Sequence, residues 1–410
     1  MVNVAIMGHG VVGSGVAEIL LNSAESIAKK AKEQIEIKYI LDLRDFDDLS
    51  YKDKFIKDFN IILNDDSVKV VAEAMGGINP AYDFVKQCLL KGKSVVTSNK
   101  ELVAAKGAEL LRIAEENNVN FLFEASVGGG IPVLRPMAQC LAANDLYEIT
   151  GILNGTTNFI MTKMIKDNME FSDALSLAQS LGYAEKDPTA DVEGLDAGRK
   201  ICILAALAFG KHVYPEYVYT EGITKITLND VAFAESANSV IKLLGRARQI
   251  DKDHCIVAVY PAFVKKDDPL ALVDDVFNAI KIKGDYIGVV MFYGRGAGKM
   301  PTASAVTADI IDCVKHLKAR KYLSWNDADG SYVTDYKEDV VRLYLRVEAD
   351  DYAKLRAEAV ELFGEVEFLD SAIKEDNEFA FITPFAAEKV LDAELKKLSF
   401  GIKSKIRVLN

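Results

Sequence analysis

The sequence has few cysteines, no long apolar run and no excess of basic charge. Its five cysteines, Cys88, Cys140, Cys202, Cys255 and Cys313, are odd in number and widely spaced. None forms a CxxC or zinc-type spacing, which excludes a disulfide framework and implies reduced thiols in a cytoplasmic protein. Several lie in apolar helical contexts, where cysteine fills core. No apolar stretch approaches the ~18 residues of a membrane-spanning helix. The first strand begins at Val2, so no signal peptide is expected. With 49 basic against 61 acidic residues the net charge is −12, which argues against binding to nucleic acid or anionic membrane. Internal repeats and low-complexity segments are absent too.

What remains is an ordinary globular composition, 50% hydrophobic and 27% charged, over 410 residues, enough for two or three domains. Up to about residue 126, VNVAIM, IEIKYIL, VKVVAEAM, SVVTSN and NFLFEAS read as strands. Val12–Lys32, Pro80–Lys91 and Glu101–Asn117 read as helices between them. Strands apolar on both faces and separated by helices indicate a doubly wound, Rossmann-type parallel sheet, assigned to residues 1–135. Residues 136–300 change to a strand, long helices and returning strands, an α+β domain expected to hold the substrate site. The apolar helix 301–320 is expected to pack back on the first domain, and Ser324–Glu338 reads as a polar linker. Residues 339–410 alternate in βαββαβ order, a ferredoxin-like pattern.

Gly8-His9-Gly10-Val11-Val12-Gly13 matches GxGxxG between a strand and a helix. Gly8 permits the tight turn, Gly10 the approach of a pyrophosphate and Gly13 helix–strand packing, with the helix N-terminus facing the phosphates. This marks a dinucleotide site; His9 occupies a variable position and reads as incidental. At the end of the second strand, Asp42 favours a ribose hydroxyl and thus NAD, whereas Arg44 favours a 2′-phosphate and thus NADP. The preference stays open. Ligands of such sheets bind beyond the carboxyl ends of the strands. Gly76, Gly77, Ser98 and Lys100 therefore fall near the reacting end. A lysine at a helix N-terminus opposes the macrodipole, which favours a functional role for Lys100.

Glu124 precedes Val127-Gly128-Gly129-Gly130-Ile131. Taken alone the glycines favour a hinge over a cation site. Glu185–Lys200, EKDPTADVEGLDAGRK, packs five carboxylates and two lysines ahead of an apolar helix. Asp196 and Lys200 share one helix face at i, i+4, and their apolar neighbours point to partial burial. Such a lysine suits a proton donor to a reduced aldehyde, while Glu185 and Asp191 suit an ammonium group. The glycine-rich Tyr293–Gly298 loop reads equally as a cofactor flap or a turn.

Taken together, GHGVVGSG, EAMGG, TSNKELVA, EASVGGGIP, GILNGTTNFIMTKM, LGYAEKDPTADVEGLDAGRKICILA and YGRGAGKMPTASAV closely resemble homoserine dehydrogenases of the bacterial and archaeal type, in the family's order from Val2 to about Arg320. The resemblance implies NAD(P)-dependent interconversion of L-homoserine and L-aspartate 4-semialdehyde, on the route to threonine and methionine. It matches Lys200 to the catalytic lysine and Lys100 to the second lysine. It matches Glu185, Asp191, Asp196, Thr156 and Gly182 to the substrate pocket, and Gly298 to a position near the cofactor. Glu124, Val127, Gly129 and Ile131 match a sodium site formed by the glutamate side chain and backbone carbonyls, which lifts the cation reading above the hinge. A homodimer, or an oligomer built on one, through the middle domain is implied. The tail departs from the pattern. Its order fits an ACT-like domain, but Val347–Ala353 lacks the proline and glycine of a ligand-binding turn, so a structural tail is as open as threonine feedback. Two rival readings stand beside it: a dehydrogenase acting on another amino acid, which would not need the Glu185–Lys200 segment in this form, and an idle NAD(P)-sensing module, which Lys200 and Asp196 disfavour.

Overall fold

The computed structural model describes residues 1–319, 323–370 and 377–409. In chain order the elements are β1 (Val2–Met7), α1 (Val11–Asn22), α2 (Ala24–Ala31), β2 (Ile35–Leu41), β3 (Phe55–Ile56), α3 (Phe59–Asn64), β4 (Val68–Glu73), α4 (Ala81–Leu90), β5 (Ser94–Thr97), α5 (Lys100–Glu116) and β6 (Phe121–Leu122). Then come β7 (Leu146–Ile152), α6 (Gly155–Asp167), α7 (Phe171–Ser180), α8 (Thr189–Val192), α9 (Leu195–Phe209), β8 (Tyr219–Thr220), α10 (Leu228–Ser236), β9 (Ser239–Gln249), β10 (Cys255–Lys265), β11 (Phe277–Gly284), β12 (Gly288–Arg295) and α11 (Lys299–Lys315). The tail holds β13 (Val340–Glu348), α12 (Tyr352–Phe363), β14 (Glu367–Leu369), β15 (Glu378–Ile382), β16 (Ala386–Ala387), α13 (Glu388–Leu395) and β17 (Gly401–Val408).

Two compact units emerge, and the chain passes between them more than once. The first comprises residues 1–147, 202–215 and 283–330; the second comprises 148–201, 216–282 and 331–410.

In the first unit the sheet order is β3-β2-β1-β4-β5-β6, every pair parallel. Val4, Ile6, Val70, Val71, Val95 and Val96 are wholly buried, as strands covered on both faces require. This is the doubly wound arrangement, in which the order of strands reverses between β1 and β4. The stretch expected as one helix, Val12–Lys32, is two, because Ser23 leaves helical geometry (φ −117°, ψ 22°) between α1 and α2. The fifth predicted strand keeps only Phe121–Leu122, and Glu124 opens a single 3₁₀ turn instead. α11 belongs to this unit and crosses α1 so closely that a Cβ on Gly15 would lie 2.8 Å from that of Ala303. Arg320, the last residue of the helix expected there, lies outside the described residues.

The segment expected as a polar linker is anchored rather than loose. Trp325 is buried in the first unit, and its Nε1 donates to His212 Nδ1 at 2.9 Å. His212 Nε2 then faces the Ala104 carbonyl on α5 at 2.9 Å.

The second unit is built on one large mixed sheet in the order β11-β7-β9-β10-β17-β13-β15-β14. Its tail strands run β17-β13-β15-β14, all antiparallel, over a core that includes Leu343, Leu345, Leu355, Phe381 and Leu391. β17 continues the sheet by pairing parallel to β10 at Ala262–Arg407 and Phe263–Val408. The strand expected over EVEFLDSAI is Glu367–Leu369, and its last residues, 371–373, lie outside the described residues, as does 410.

Candidate active site

In the first unit the glycine loop follows β1. Gly8 has φ +92°, a conformation that side chains rarely adopt. Gly13 leaves no room for a side chain: a Cβ there would lie 1.9 Å from the Gly8 carbonyl oxygen. Gly10, the N-cap of α1, has open space where its Cβ would be, and Val11 beside it is exposed, Val12 half-buried. The first-turn N–H groups of α1 therefore face an open volume, the arrangement that receives a phosphate. A flanking cleft of about 880 Å³, of the size that holds a ligand, is lined by His9, Ser14, Glu18, Tyr51, Asp53 and Lys299. His9 is buried in an aromatic nest of Phe46, Tyr51 and Phe55.

Asp42 follows β2 and accepts from the His9 N–H at 2.7 Å. The Arg44 guanidinium reaches both oxygens of the same carboxylate, at 3.0 and 2.9 Å, and holds it well below the usual carboxylate range. The two residues that gave opposite readings of the cofactor thus form one ion pair.

At the ends of β4 and β5, Glu73 is wholly buried. It accepts from the N–H groups of Met75 and Gly76 (2.8 and 3.2 Å) and from the Thr97 hydroxyl, and burial pushes its carboxyl up. Asn99 donates to the Gly77 carbonyl at 2.6 Å and caps α5 by accepting from Leu102 N–H at 3.1 Å. Lys100 is the first residue of α5, with Ser98 half-buried before the cap. This network fixes both loops where the sheet opens.

Residues 124–135 form a buried loop. The Glu124 carboxylate accepts from three backbone N–H groups, those of Val133, Leu134 and Arg135, at 2.6, 2.8 and 2.7 Å. These bonds fix its side chain in a turn cap and use three of the roughly four lone-pair sites of the carboxylate. Among the described residues no backbone N–H donates to the carbonyls of Val127, Gly129 or Ile131. Gly129 has φ +55°, and a Cβ on it would lie 2.4 Å from the Gly296 carbonyl oxygen. Gly298 has φ +122° and is the N-cap of α11. Asp309 of α11 closes the loop by accepting from Glu124 N–H at 2.9 Å and pairing with Arg135.

The second unit holds the acidic segment. Lys200 and Asp196 are both buried on α9, Nζ to Oδ2 2.6 Å. Lys200 also donates to the Leu153 carbonyl at 2.8 Å. Asn154 Nδ2 donates to Asp191 (2.6 Å) and to Asp196 (2.8 Å), tying the two carboxylates together. Its own Oδ1 accepts from Thr157 N–H at 2.9 Å and so caps α6. Thr156 donates to the Tyr183 carbonyl at 2.7 Å, next to Gly182, which has φ +74°. Glu185 is exposed. Of the charged residues named from sequence, the structure brings Asp191, Asp196 and Lys200 together; sequence reasoning did not single out two amides and an acid, Asn154, Asn99 and Glu73. A signal for Glu73 was present, a carboxylate directly following the apolar run Val70–Ala72 at the end of the strand VKVVAE.

A family model for the homoserine dehydrogenase NAD-binding domain matches residues 8–124, and one for homoserine dehydrogenase matches residues 132–311. The chain belongs to the homoserine dehydrogenase family. Its activity is accordingly that of an oxidoreductase of amino-acid biosynthesis. A homoserine dehydrogenase of Neisseria gonorrhoeae is 40% identical over 85% of this chain and 82% of its own length. One from Synechocystis is 42% identical over 76% of this chain and 73% of its own. Among solved structures, a homoserine dehydrogenase from Thiobacillus denitrificans superposes with a TM-score of 0.90 at 33% identity, covering 100% of this chain and 98% of that one. Among the described residues no helix is long and apolar enough to cross a membrane, and no group of three or more His, Cys, Asp or Glu side chains could hold a metal ion.

Proposed function

We propose that the chain interconverts L-homoserine and L-aspartate 4-semialdehyde with NAD(P), Lys200 moving the proton at the substrate oxygen. The buried Asp196–Lys200 pair carries this reading. An ammonium has three hydrogens. Two are committed, to Leu153 O and Asp196, so the third is the one a substrate oxygen would accept. Asp196 pairs with the ammonium form, the form able to protonate a developing alkoxide. Asp191 and Asp196, presented together by Asn154, suit a substrate ammonium, with Glu185, Thr156 and Gly182 completing that end. Lys100 is assigned as the second lysine, stabilising negative charge. The bound nicotinamide supplies the hydride in one direction and accepts it in the other.

The glycine loop fits a dinucleotide by its positive φ at Gly8, its open first turn and the absence of space at Gly13. Gly76 and Gly298 are assigned to the same cofactor. A hyperthermophilic archaeal homoserine dehydrogenase, 26% identical with a TM-score of 0.66, has been solved in complex with NADPH. Either cofactor suits the Asp42–Arg44 pair: a ribose hydroxyl would use the carboxylate and a 2′-phosphate the guanidinium. Asp42→Ala should weaken NADH more than NADPH and Arg44→Ala the reverse, read as the ratio of kcat/KM values; an unchanged ratio in both would contradict the assignment.

A sodium ion would be held by the Glu124 side chain and the carbonyls of Val127, Gly129 and Ile131. Exposed Val289, Met291 and Tyr293 on β12 support a homodimer. The β17-β13-β15-β14 order supports an ACT-like tail with a structural role.

Initial rates test the reaction. Aspartate-semialdehyde reduction should proceed with NADH or NADPH, and homoserine oxidation should rise toward alkaline pH, where a base can take the hydroxyl proton. No turnover with either cofactor would refute it.

A further inference from the structure

We propose that Arg407, on the last strand, is a positioning residue for the substrate-ammonium pocket, acting through Glu221. The inference rests on the role proposed for Asp191 and Asp196.

Arg407 is buried, and each of its three guanidinium nitrogens donates a hydrogen bond. Nε and Nη2 donate to the two oxygens of Glu388, at 2.7 Å each, and Nη1 donates to Glu221 Oε2 at 2.8 Å. The rings of Tyr219, Tyr260 and Tyr336 surround it at 5.2, 4.6 and 5.1 Å. Glu388 belongs to the tail. Glu221 belongs to the catalytic segment, immediately after β8, and is held there by its N–H to Val259 O (2.8 Å) and by the Tyr219 hydroxyl (3.0 Å). One planar fork therefore joins the two, a geometry that a lysine cannot reproduce.

The turn that Glu221 opens bears directly on the substrate segment. A Cβ on Gly222 would lie 2.0 Å from Val192 O and 2.5 Å from Glu193 Cα, so backbone rests on backbone. Ile223 N–H donates to Val192 O at 2.9 Å, and Thr224 donates to Glu193 at 3.1 Å. On the other side, a Cβ on Gly198 of α9 would sit 3.0 Å from Thr220 Cγ2. Residues 220–224 thus abut the end of α8, next to Asp191, and the first turns of α9, next to Asp196. A displaced turn is passed on through close backbone contact, with no flexible side chain to absorb it. The tail fixes that turn whether or not it binds an effector.

The test compares full-length Glu221→Ala, Arg407→Lys and Arg346→Met. Arg346 is the control, a second buried arginine of the tail that pairs instead with Asp230 on α10 at 3.0 Å. Glu221→Ala leaves the Arg407–Glu388 pair whole, so it reports on the link without unmaking the tail. The expected result is a homoserine KM raised about tenfold in Glu221→Ala and by a smaller factor in Arg407→Lys, with the cofactor KM held within about twofold. Arg346→Met should lower Tm without moving the homoserine KM. An unchanged homoserine KM in Glu221→Ala, or an equal rise in Arg346→Met, would overturn the proposal. If the wild-type chain does not turn over homoserine at all, the functional reading itself fails and this inference falls with it.

Discussion

Lys242 of β9 is a buried ammonium among oxygens: it donates to Asn158 Oδ1 at 3.2 Å and to the Val273 carbonyl, with Asp274 3.5 Å away. Burial pushes its pKa down to about 8, against the opposing pull of Asp274. Below pH 8 the native and unfolded chains both hold this proton. Between there and the ordinary lysine value the unfolded chain holds more, so stability rises with pH across that window. The stability difference between wild type and Lys242→Met should therefore shift in favour of wild type by roughly 3 kcal/mol from pH 8 to 10.5. Denaturant titrations at the two pH values measure it, and a difference independent of pH would contradict it. At this scale the sequence showed charge and spacing well. The i, i+4 relation of Asp196 and Lys200 follows from helix geometry alone. Asn154 was hidden because its partners, Asp191 and Asp196, lie 37 and 42 residues away. The commitment of Glu124 to three N–H groups was hidden for a different reason: its partners are near in sequence, but the loop that turns back onto it has no sequence period.

Elements were legible where a period was long enough to count. Strands apolar on both faces and the long helices of the first unit stand out in the sequence; β3 and β6, two residues each, carry no period and become strands only by pairing with neighbours. The segment around Trp325 reads as polar because its one large apolar residue is isolated. In the fold that residue anchors the segment to His212 and, beyond it, to α5. Trp325→Phe keeps most of the buried surface but removes the indole N–H that donates to His212 Nδ1. It should cost about 0.5–1.5 kcal/mol, the net worth of one hydrogen bond. A urea midpoint unchanged from wild type would show that the hydrogen bond contributes nothing. Gly107 sets the same joint, since a Cβ there would lie 2.7 Å from the Trp325 ring.

For the whole molecule, the sequence conveys the order of elements but not how they group. The first compact unit gathers three separate segments, so contiguous ranges cannot describe it. Likewise, the tail's βαββαβ order is visible in sequence, whereas the β17–β10 pairing that merges it with the catalytic sheet spans just two residue pairs. Under the proposed mechanism the chemistry nevertheless converges on one group in one helix. The most direct test is turnover of aspartate semialdehyde by Lys200→Ala, with NADPH binding followed separately by fluorescence. If Lys200 moves the proton, turnover should fall about 10²–10⁴-fold while NADPH binds as in wild type. Near-normal turnover in the variant would contradict the mechanism.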